Sequence, residues 1–84
     1  MDKPQHVRAA PTERLSRREL EVLQMTAQGL TNSQVGGQLD LSLHAVKFHL
    51  ASIYRKLEVA NRTEAAVVYL RSQAEASSST ATAD

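Results

Sequence analysis

The chain has 84 residues, with ten lysines and arginines against nine aspartates and glutamates, and no cysteine. This length allows one small domain, which can bury only about 60% of the surface of its unfolded chain. The lack of cysteine excludes disulfides and thiolate zinc sites. Because no apolar run approaches the roughly 20 residues of a membrane span and no signal peptide follows Met1, we expect a cytoplasmic protein without membrane contact.

Charged residues are unevenly distributed along the chain. Between Leu41 and Leu57 the only charged residues are Lys47, Arg55 and Lys56, and none is acidic. A surface that carries only cations can approach nucleic-acid phosphates, although a net charge of +1 excludes a polybasic arm. From charge alone, an ordinary solvated face with a few cations is an equally good interpretation.

Both ends of the chain are predicted to lie outside the folded domain. Residues 1–14 are polar and contain both prolines, which is typical of a flexible leader or linker. Residues 74–84 are mostly serine, threonine and alanine and have little to bury, which predicts a disordered tail. Residues 15–73 form the predicted domain, in which the apolar periodicity indicates helices and no strand.

Capping residues mark the first two predicted helices. Ser16 and Glu19 have the spacing of a capping box, in which each side chain satisfies a backbone N–H group of the other residue. Thr31 and Gln34 repeat this spacing at the start of a second, short helix. Gly29, between the two, is the expected C-terminal cap residue of the first helix.

A sharp turn is predicted between the second and third helices. The second helix is expected to end near Leu39, and Asp40 tolerates the left-handed conformation that such a turn requires. Ser42 is a natural N-cap for a third helix over residues 43–57. Gly36 has no side chain and would let the two helices cross closely at the turn.

The third helix has an apolar side and an opposite, outward side. Four apolar residues spaced by four, three and four positions share the inner face, namely Val46, Leu50, Ile53 and Leu57. At about 100° per residue, the outward side carries His44, Phe48, Ala51 and Arg55, with Lys47 and Ser52 at its flanks.

The outward side has the chemistry of a DNA-binding surface. Phe48 is the only phenylalanine of the chain, and this helical register places it beside Lys47 and away from the core. In the major groove a phenylalanine can contact a thymine methyl group, and a lysine can bind guanine or a phosphate. A single exposed apolar residue is otherwise unremarkable, so the aromatic residue alone does not decide the function.

Further residues could contact the phosphate backbone. Arg55 and Lys56 follow Phe48 by about two turns and would reach phosphates. The helix N-termini capped by Thr31 and Ser42 could bind phosphate oxygens, or these residues could serve only as caps. His49 lies nearer the core, where a packed histidine and a phosphate donor are equally good interpretations.

A fourth helix is predicted from Asn61, three residues before Glu64, to about Gln73, and it is apolar nearly all round. One of its faces must pack on the bundle, and the expected residues are Ala65, Val68 and Tyr69. The residues left for another surface are Ala66, Val67 and Leu70. An exposed apolar strip of this kind is typical of an interface, so we expect a homodimer through it.

Several segments together resemble a known family. They are Leu15-Ser-Arg-Arg-Glu-Leu-Glu-Val-Leu23, Ala27-Gln-Gly-Leu-Thr-Asn32, Val46-Lys-Phe-His49 and Asn61-Arg-Thr-Glu-Ala65. In this order they are similar to the LuxR-type helix-turn-helix domain, the C-terminal DNA-binding domain of NarL/FixJ response regulators and quorum-sensing activators. The resemblance implies an all-α, four-helix bundle with a central helix-turn-helix at about residues 30–57.

The resemblance also implies a function and a set of contacts. Such domains place the third helix in the major groove and usually act as homodimers on inverted repeats, through the fourth helix. Together with the helical register, the expected base contacts are His44, Lys47, Phe48 and Ala51. The expected backbone contacts are Thr31, Asn32, Ser42, His49, Ser52, Arg55 and Lys56. RNA polymerase is a further expected partner, and Glu19 and Arg62 are expected to pair across the bundle.

Three departures from the family's pattern concern the strength of binding more than the fold. Ala45 stands where the family usually has a threonine, which removes a hydroxyl that could bind phosphate. Ala51 cannot donate a hydrogen bond, so any base contact there has to be apolar. Gly36 replaces the usual alanine.

Three alternatives are weighed against a DNA-binding regulator. The C-terminal region of bacterial sigma factors shares the Leu-Ser-x-Arg-Glu opening, but the helix from Asn61 favours the LuxR type. A protein-interaction module that no longer binds DNA would antagonise a related regulator. An enzyme is not expected, because cysteine nucleophiles, glycine-rich phosphate loops and paired carboxylates are lacking. His44 and His49 do not share a helix face, so we expect no metal, no other cofactor and no small-molecule site on this domain.

Overall fold

The structure, a computed structural model, describes the backbone of residues 11–82 and the side chains through residue 76. A short 3-10 helix, Pro11–Arg14, precedes four α-helices: α1 Arg17–Ala27, α2 Asn32–Leu39, α3 Leu43–Leu57 and α4 Arg62–Thr82. The part of the chain that is described contains no strand, and the predicted all-α architecture is confirmed. Within this part, no helix is long and apolar enough to cross a membrane.

The first two helices begin where their capping residues predict. The Ser16 N–H donates to Glu19 Oε1 over 2.9 Å, and the Glu19 N–H donates to Ser16 Oγ over 3.1 Å. Thr31 and Gln34 form the same reciprocal pair at 2.8 and 3.1 Å. Gly29 follows α1 with a φ of +97°, a conformation that glycine adopts without steric cost. These boundaries are local, since each depends on residues three apart.

The turn between α2 and α3 brings the backbone unusually close to α2. Asp40 is left-handed, with φ 57° and ψ 45°, and Ser42 Oγ accepts the Ala45 N–H over 3.0 Å. A Cβ atom at Gly36 would lie 2.6 Å from the Leu41 carbonyl oxygen, which is closer than such contacts occur. Gly36 therefore permits a close approach, as predicted. The group that comes closest to it is the backbone carbonyl of Leu41 in the turn rather than helix α3.

The core lies between all four helices and holds the inner side of α3. The predicted stripe is confirmed, since Val46 and Ile53 are fully buried and Leu50 and Leu57 are nearly so. The other core residues come from α1, α2 and α4, namely Val22, Leu23, Val35, Ala65 and Tyr69. Because the inner side of α3 is anchored along its whole length, its opposite side is presented to solvent as a rigid surface.

The folded part of the chain begins earlier than predicted. The 3-10 helix Pro11–Arg14 contacts α3 and α4, whereas these residues were expected to belong to a flexible leader. Arg14 donates from Nη1 to the Lys56 carbonyl oxygen over 3.3 Å and lies 3.7 Å from Glu58 Oε2. A contact with residues so distant in sequence leaves no local periodicity to detect. Residues 1–10 of the predicted leader lie outside the described residues.

The fourth helix ends later than predicted. Its start is as expected, with Asn61 Oδ1 accepting the Glu64 N–H over 3.0 Å. The predicted end near Gln73 is wrong, because α4 continues to Thr82. No glycine or proline follows Gly37 in the chain, so nothing in the backbone chemistry stops this helix. The last two residues of the predicted tail lie outside the described residues.

Candidate nucleic-acid interface

The outer face of α3, defined by His44, Lys47, Phe48, Ala51 and Arg55, is exposed at every position. The structure thus brings the four expected base-contacting residues onto one surface. Phe48 leaves 68% of its surface exposed, more than any other large apolar residue described. A single exposed apolar residue is ordinary, but here the aromatic ring shares one exposed surface with the cations Lys47 and Arg55.

A second large apolar residue at this end of α3 was not predicted. Leu43 is 48% exposed at the first position of the helix. Its spacing continues the apolar stripe, because it lies three residues before Val46. The helical pattern alone therefore assigns Leu43 to the core, and only the structure shows that it is accessible.

The aromatic ring of Phe48 is partly oriented by its neighbour. The ring centroids of Phe48 and His49 are 6.1 Å apart, with an interplanar angle of 69°, which is an edge-to-face arrangement. His49 is half-buried. His49 therefore contacts the ring of Phe48, and part of the residue remains accessible to a phosphate.

Ser52 does not belong to the exposed surface, which corrects its predicted contact with the DNA backbone. Only 8% of Ser52 is exposed, and its hydroxyl donates to Glu19 Oε2 over 2.6 Å. The residue lies at the edge of the outer face, where α3 meets α1. Its hydroxyl is therefore used to join these two helices.

Glu19 is the centre of a buried polar cluster. Besides the Ser52 bond, its Oε1 atom accepts the Ser16 N–H and a hydrogen bond from Lys56 Nζ over 2.9 Å. Burial by itself raises the pKa of this carboxyl, but the hydrogen bonds from Ser52, Ser16 and Lys56 and the charge of Lys56 outweigh it. The pKa falls from 4.5 to about 2. The expected pairing of Glu19 with Arg62 is wrong, because Glu19 forms its ion pair with Lys56.

The same contact changes the expectation for Lys56. Its ammonium group is bound by Glu19 and its side chain is 38% exposed. An ammonium group has three N–H donors, so others remain for a phosphate. Its charge is nevertheless largely neutralised within the protein, unlike that of Lys47 or Arg55, which are exposed on the outer face of α3.

The other expected backbone-contacting residues lie at the N-termini of α2 and α3. Thr31 and Ser42 are exposed, and each hydroxyl oxygen accepts a backbone N–H while its own proton is left to donate. Asn32 is half-buried, and its Oδ1 atom accepts from Arg62 Nη1 over 2.8 Å. The structure thus places donors at two helix ends, where backbone N–H groups also favour anions.

The geometry defines a class of protein. A short helix, a left-handed turn at Asp40 and a second helix with a rigid, exposed outer face form a helix-turn-helix. Residues 13–69 match the family model described as "Bacterial regulatory proteins, luxR family". The chain therefore belongs to the luxR family of bacterial regulatory proteins, which confirms the resemblance read from its motifs and decides against the sigma-factor region.

Curated relatives agree with this membership. The chain is 46% identical over 59 residues to the transcriptional regulatory protein LiaR of Bacillus subtilis (strain 168), covering 70% of this chain and 28% of LiaR. It is 42% identical over 57 residues to the nitrate/nitrite response regulator protein NarP of Escherichia coli (strain K12), covering 68% and 26%. The transcriptional activator protein RaiR of Rhizobium etli is 49% identical over 57 residues, covering 68% and 24%.

Two facts follow from these matches. The chain spans about a quarter of the length of these three relatives. The family and these relatives are regulators of transcription, which confirms the prediction that this domain is not an enzyme. No cluster of three or more histidines, aspartates or glutamates that could hold a metal ion occurs among residues 11–82.

Proposed function

We propose that this domain binds double-stranded DNA sequence-specifically and thereby regulates transcription in the bacterial cytoplasm. The outer face of α3 enters the major groove, where Lys47 binds guanine or phosphate and Phe48 contacts thymine methyl groups. His44 and Ala51 complete the base-contacting set. The observation that carries the proposal is the exposure of Phe48, 68% of its surface, on a helix without acidic residues.

The phosphate contacts fall to residues around this face. Thr31, Asn32 and Ser42 lie at the N-termini of α2 and α3, and their remaining donors suit phosphate oxygens. Arg55 is exposed on the outer face of α3, and the half-buried residues His49 and Lys56 lie next to this face. Ser52 is left out because its hydroxyl is bound to Glu19.

Replacing Lys47 with alanine tests the proposal. Fluorescence anisotropy on a mixed-sequence duplex across a salt series measures affinity and its salt dependence. We expect wild-type affinity to fall steeply with salt, and Lys47→Ala to weaken binding and to reduce the slope by about 1, since each phosphate contact contributes roughly 0.9. Arg18→Ala is the matched control, because Arg18 is exposed on α1 and its removal changes the net charge equally.

Two results would contradict this function. If Arg18→Ala weakens binding as much as Lys47→Ala, only the overall charge matters and α3 is not the contact surface. If the folded wild type shows no binding at low salt, the protein-interaction module becomes the better interpretation. A search for a protein that binds α4 would then follow.

We further propose that the DNA-bound form is a homodimer through α4, on inverted-repeat sites. Ala65 and Tyr69 are buried against the bundle, while Val67 and Leu70 are 41% and 54% exposed, with Ala66 half-buried beside them. An apolar strip on the side of a helix that faces away from the core suits a twofold interface. RNA polymerase stays a predicted partner of the bound regulator.

Leu70→Glu is expected to prevent this association. In sedimentation with an inverted-repeat duplex, the wild type should bind as two copies and Leu70→Glu as one, because a carboxylate cannot be buried unpaired at the interface. Gln24→Glu adds the same charge on the exposed side of α1 and should behave as wild type. A wild type that binds such a duplex only as a monomer would contradict the dimer without affecting DNA binding.

A further inference from the structure

Arg62 joins the beginning of α4 to the beginning of α2. Its Nη1 atom donates to Asn32 Oδ1 over 2.8 Å, and its Nη2 atom donates to the Leu30 carbonyl oxygen. The two side chains are 30 positions apart in sequence, and both are half-buried. One guanidinium group thus holds both the last residues before α2 and the first residue of that helix.

This contact determines which way the Asn32 amide points. A guanidinium group has only donors, so the atom of Asn32 that faces Arg62 has to be the oxygen. The nitrogen of a carboxamide lies on the opposite side from its oxygen. Its two N–H donors are therefore directed away from Arg62.

The orientation matters because phosphate oxygens only accept hydrogen bonds. An amide free to rotate would present its oxygen to a phosphate about as often as its nitrogen, and the first arrangement is repulsive. With its oxygen held by Arg62, the Asn32 side chain can only donate to DNA, and no rotational freedom is lost on binding.

We propose that Arg62 is a positioning residue for DNA binding, which orients the Asn32 amide toward a phosphate without contacting DNA itself. This inference rests on the proposed function. Arg62 is also the first residue of α4, the helix of the proposed dimer interface, so this guanidinium joins that helix directly to the phosphate-contacting end of α2.

A double-mutant cycle tests the inference with the full chain and the duplex used above. Arg62→Lys keeps the charge but loses the planar, two-pronged donor geometry. We expect it to weaken DNA binding about fivefold in the wild-type background, a typical net effect of one hydrogen bond, and less than twofold in the Asn32→Ala background. A residue that supports only the fold would lower the affinity equally in both backgrounds.

Asn32→Asp is a second variant that does not disturb the contact with Arg62. The carboxylate can still accept from the guanidinium, so thermal stability should be kept or raised, but the outward donors are lost and a negative charge faces the phosphate. We expect binding to be weakened at least as much as by Asn32→Ala. Binding at the wild-type level by Asn32→Asp would overturn the inference.

The outcomes separate this inference from the proposed function. Equal losses for Arg62→Lys in both backgrounds, or no loss in either, would overturn the positioning role while wild-type DNA binding stands. Absence of DNA binding by the folded wild type would overturn both. The side-chain amide signals of Asn32 in a ¹⁵N–¹H spectrum supply a direct readout, since they should shift on adding DNA to the wild type and shift less in Arg62→Lys.

Discussion

Replacing Glu19 with alanine is expected to lower the free energy of unfolding by about 3 kcal/mol near neutral pH, as judged from its pKa shift and from the loss of the hydrogen bonds to a buried carboxylate. The variant removes the acceptor for Ser52, Lys56 and the Ser16 N–H at once. Urea unfolding followed by circular dichroism measures the change. For so small a domain this is a large share of the total stability.

Glu21→Ala is the matched control for this prediction. Glu21 lies on the same helix and contacts Arg18 across 3.3 Å, but both side chains are close to half exposed. A surface pair of this kind contributes about 1 kcal/mol at most. Similar losses for the two variants would contradict the special role of Glu19.

The pH dependence follows from the direction of the Glu19 shift. Its pKa is about 2 in the folded chain and 4.5 as the ordinary value, so the ionised form favours folding. The stabilisation is fully present above about pH 4.5 and is lost as the pH falls from there toward 2. Glu19→Gln should flatten this part of the stability curve. An unchanged curve in that variant would show that other carboxyl groups cause the acid sensitivity.

Replacing Phe48 with glutamate is expected to weaken DNA binding by at least about 100-fold, because it removes an apolar base contact and places a negative charge against the phosphates. The fold should persist, because Phe48 leaves 68% of its surface exposed and touches little of the core. Anisotropy with the operator selected for the wild type, together with the circular dichroism spectrum, measures both quantities.

Leu20→Glu controls for the added charge alone. Leu20 is 37% exposed on α1, outside the outer face of α3. The Leu20→Glu variant should retain nearly all of the wild-type affinity for DNA. Phe48→Leu, which keeps an apolar contact, should bind better than Phe48→Glu and discriminate less between thymine and cytosine than the wild type. Wild-type affinity in Phe48→Glu would exclude this face from the interface.

The helix starts and the side of α3 that faces the core could be predicted because they depend on short spacings. The two capping pairs join residues three apart, namely Ser16 with Glu19 and Thr31 with Gln34. The apolar stripe from Val46 to Leu57 follows the helical period. The capping signals are complete within one turn, and the stripe repeats within a single helix over about three turns. The turn at Asp40 is of the same kind, since one residue adopts the left-handed conformation.

The partners of side chains at the edges of the helices could not be predicted. The helical register places Ser52 between inside and outside, and its position is decided by Glu19, which is 33 residues away. Likewise, the family resemblance implies Arg62 on α4 as the partner of Glu19, and only the packed bundle shows that Lys56 on α3 reaches it. The contact of Arg62 with Asn32 leaves no trace in either local segment.

The absence of anions from α3 has a consequence for how the molecule meets DNA. Three of the ten cations and none of the nine anions lie between residues 41 and 57, so the rest of the chain carries seven cations against nine anions. The segment that contains α3 thus carries a net charge of +3, whereas the rest of the chain carries a net charge of −2. We therefore expect encounters with DNA to begin more often through α3 than through the rest of the surface, even though the net charge of the chain is small.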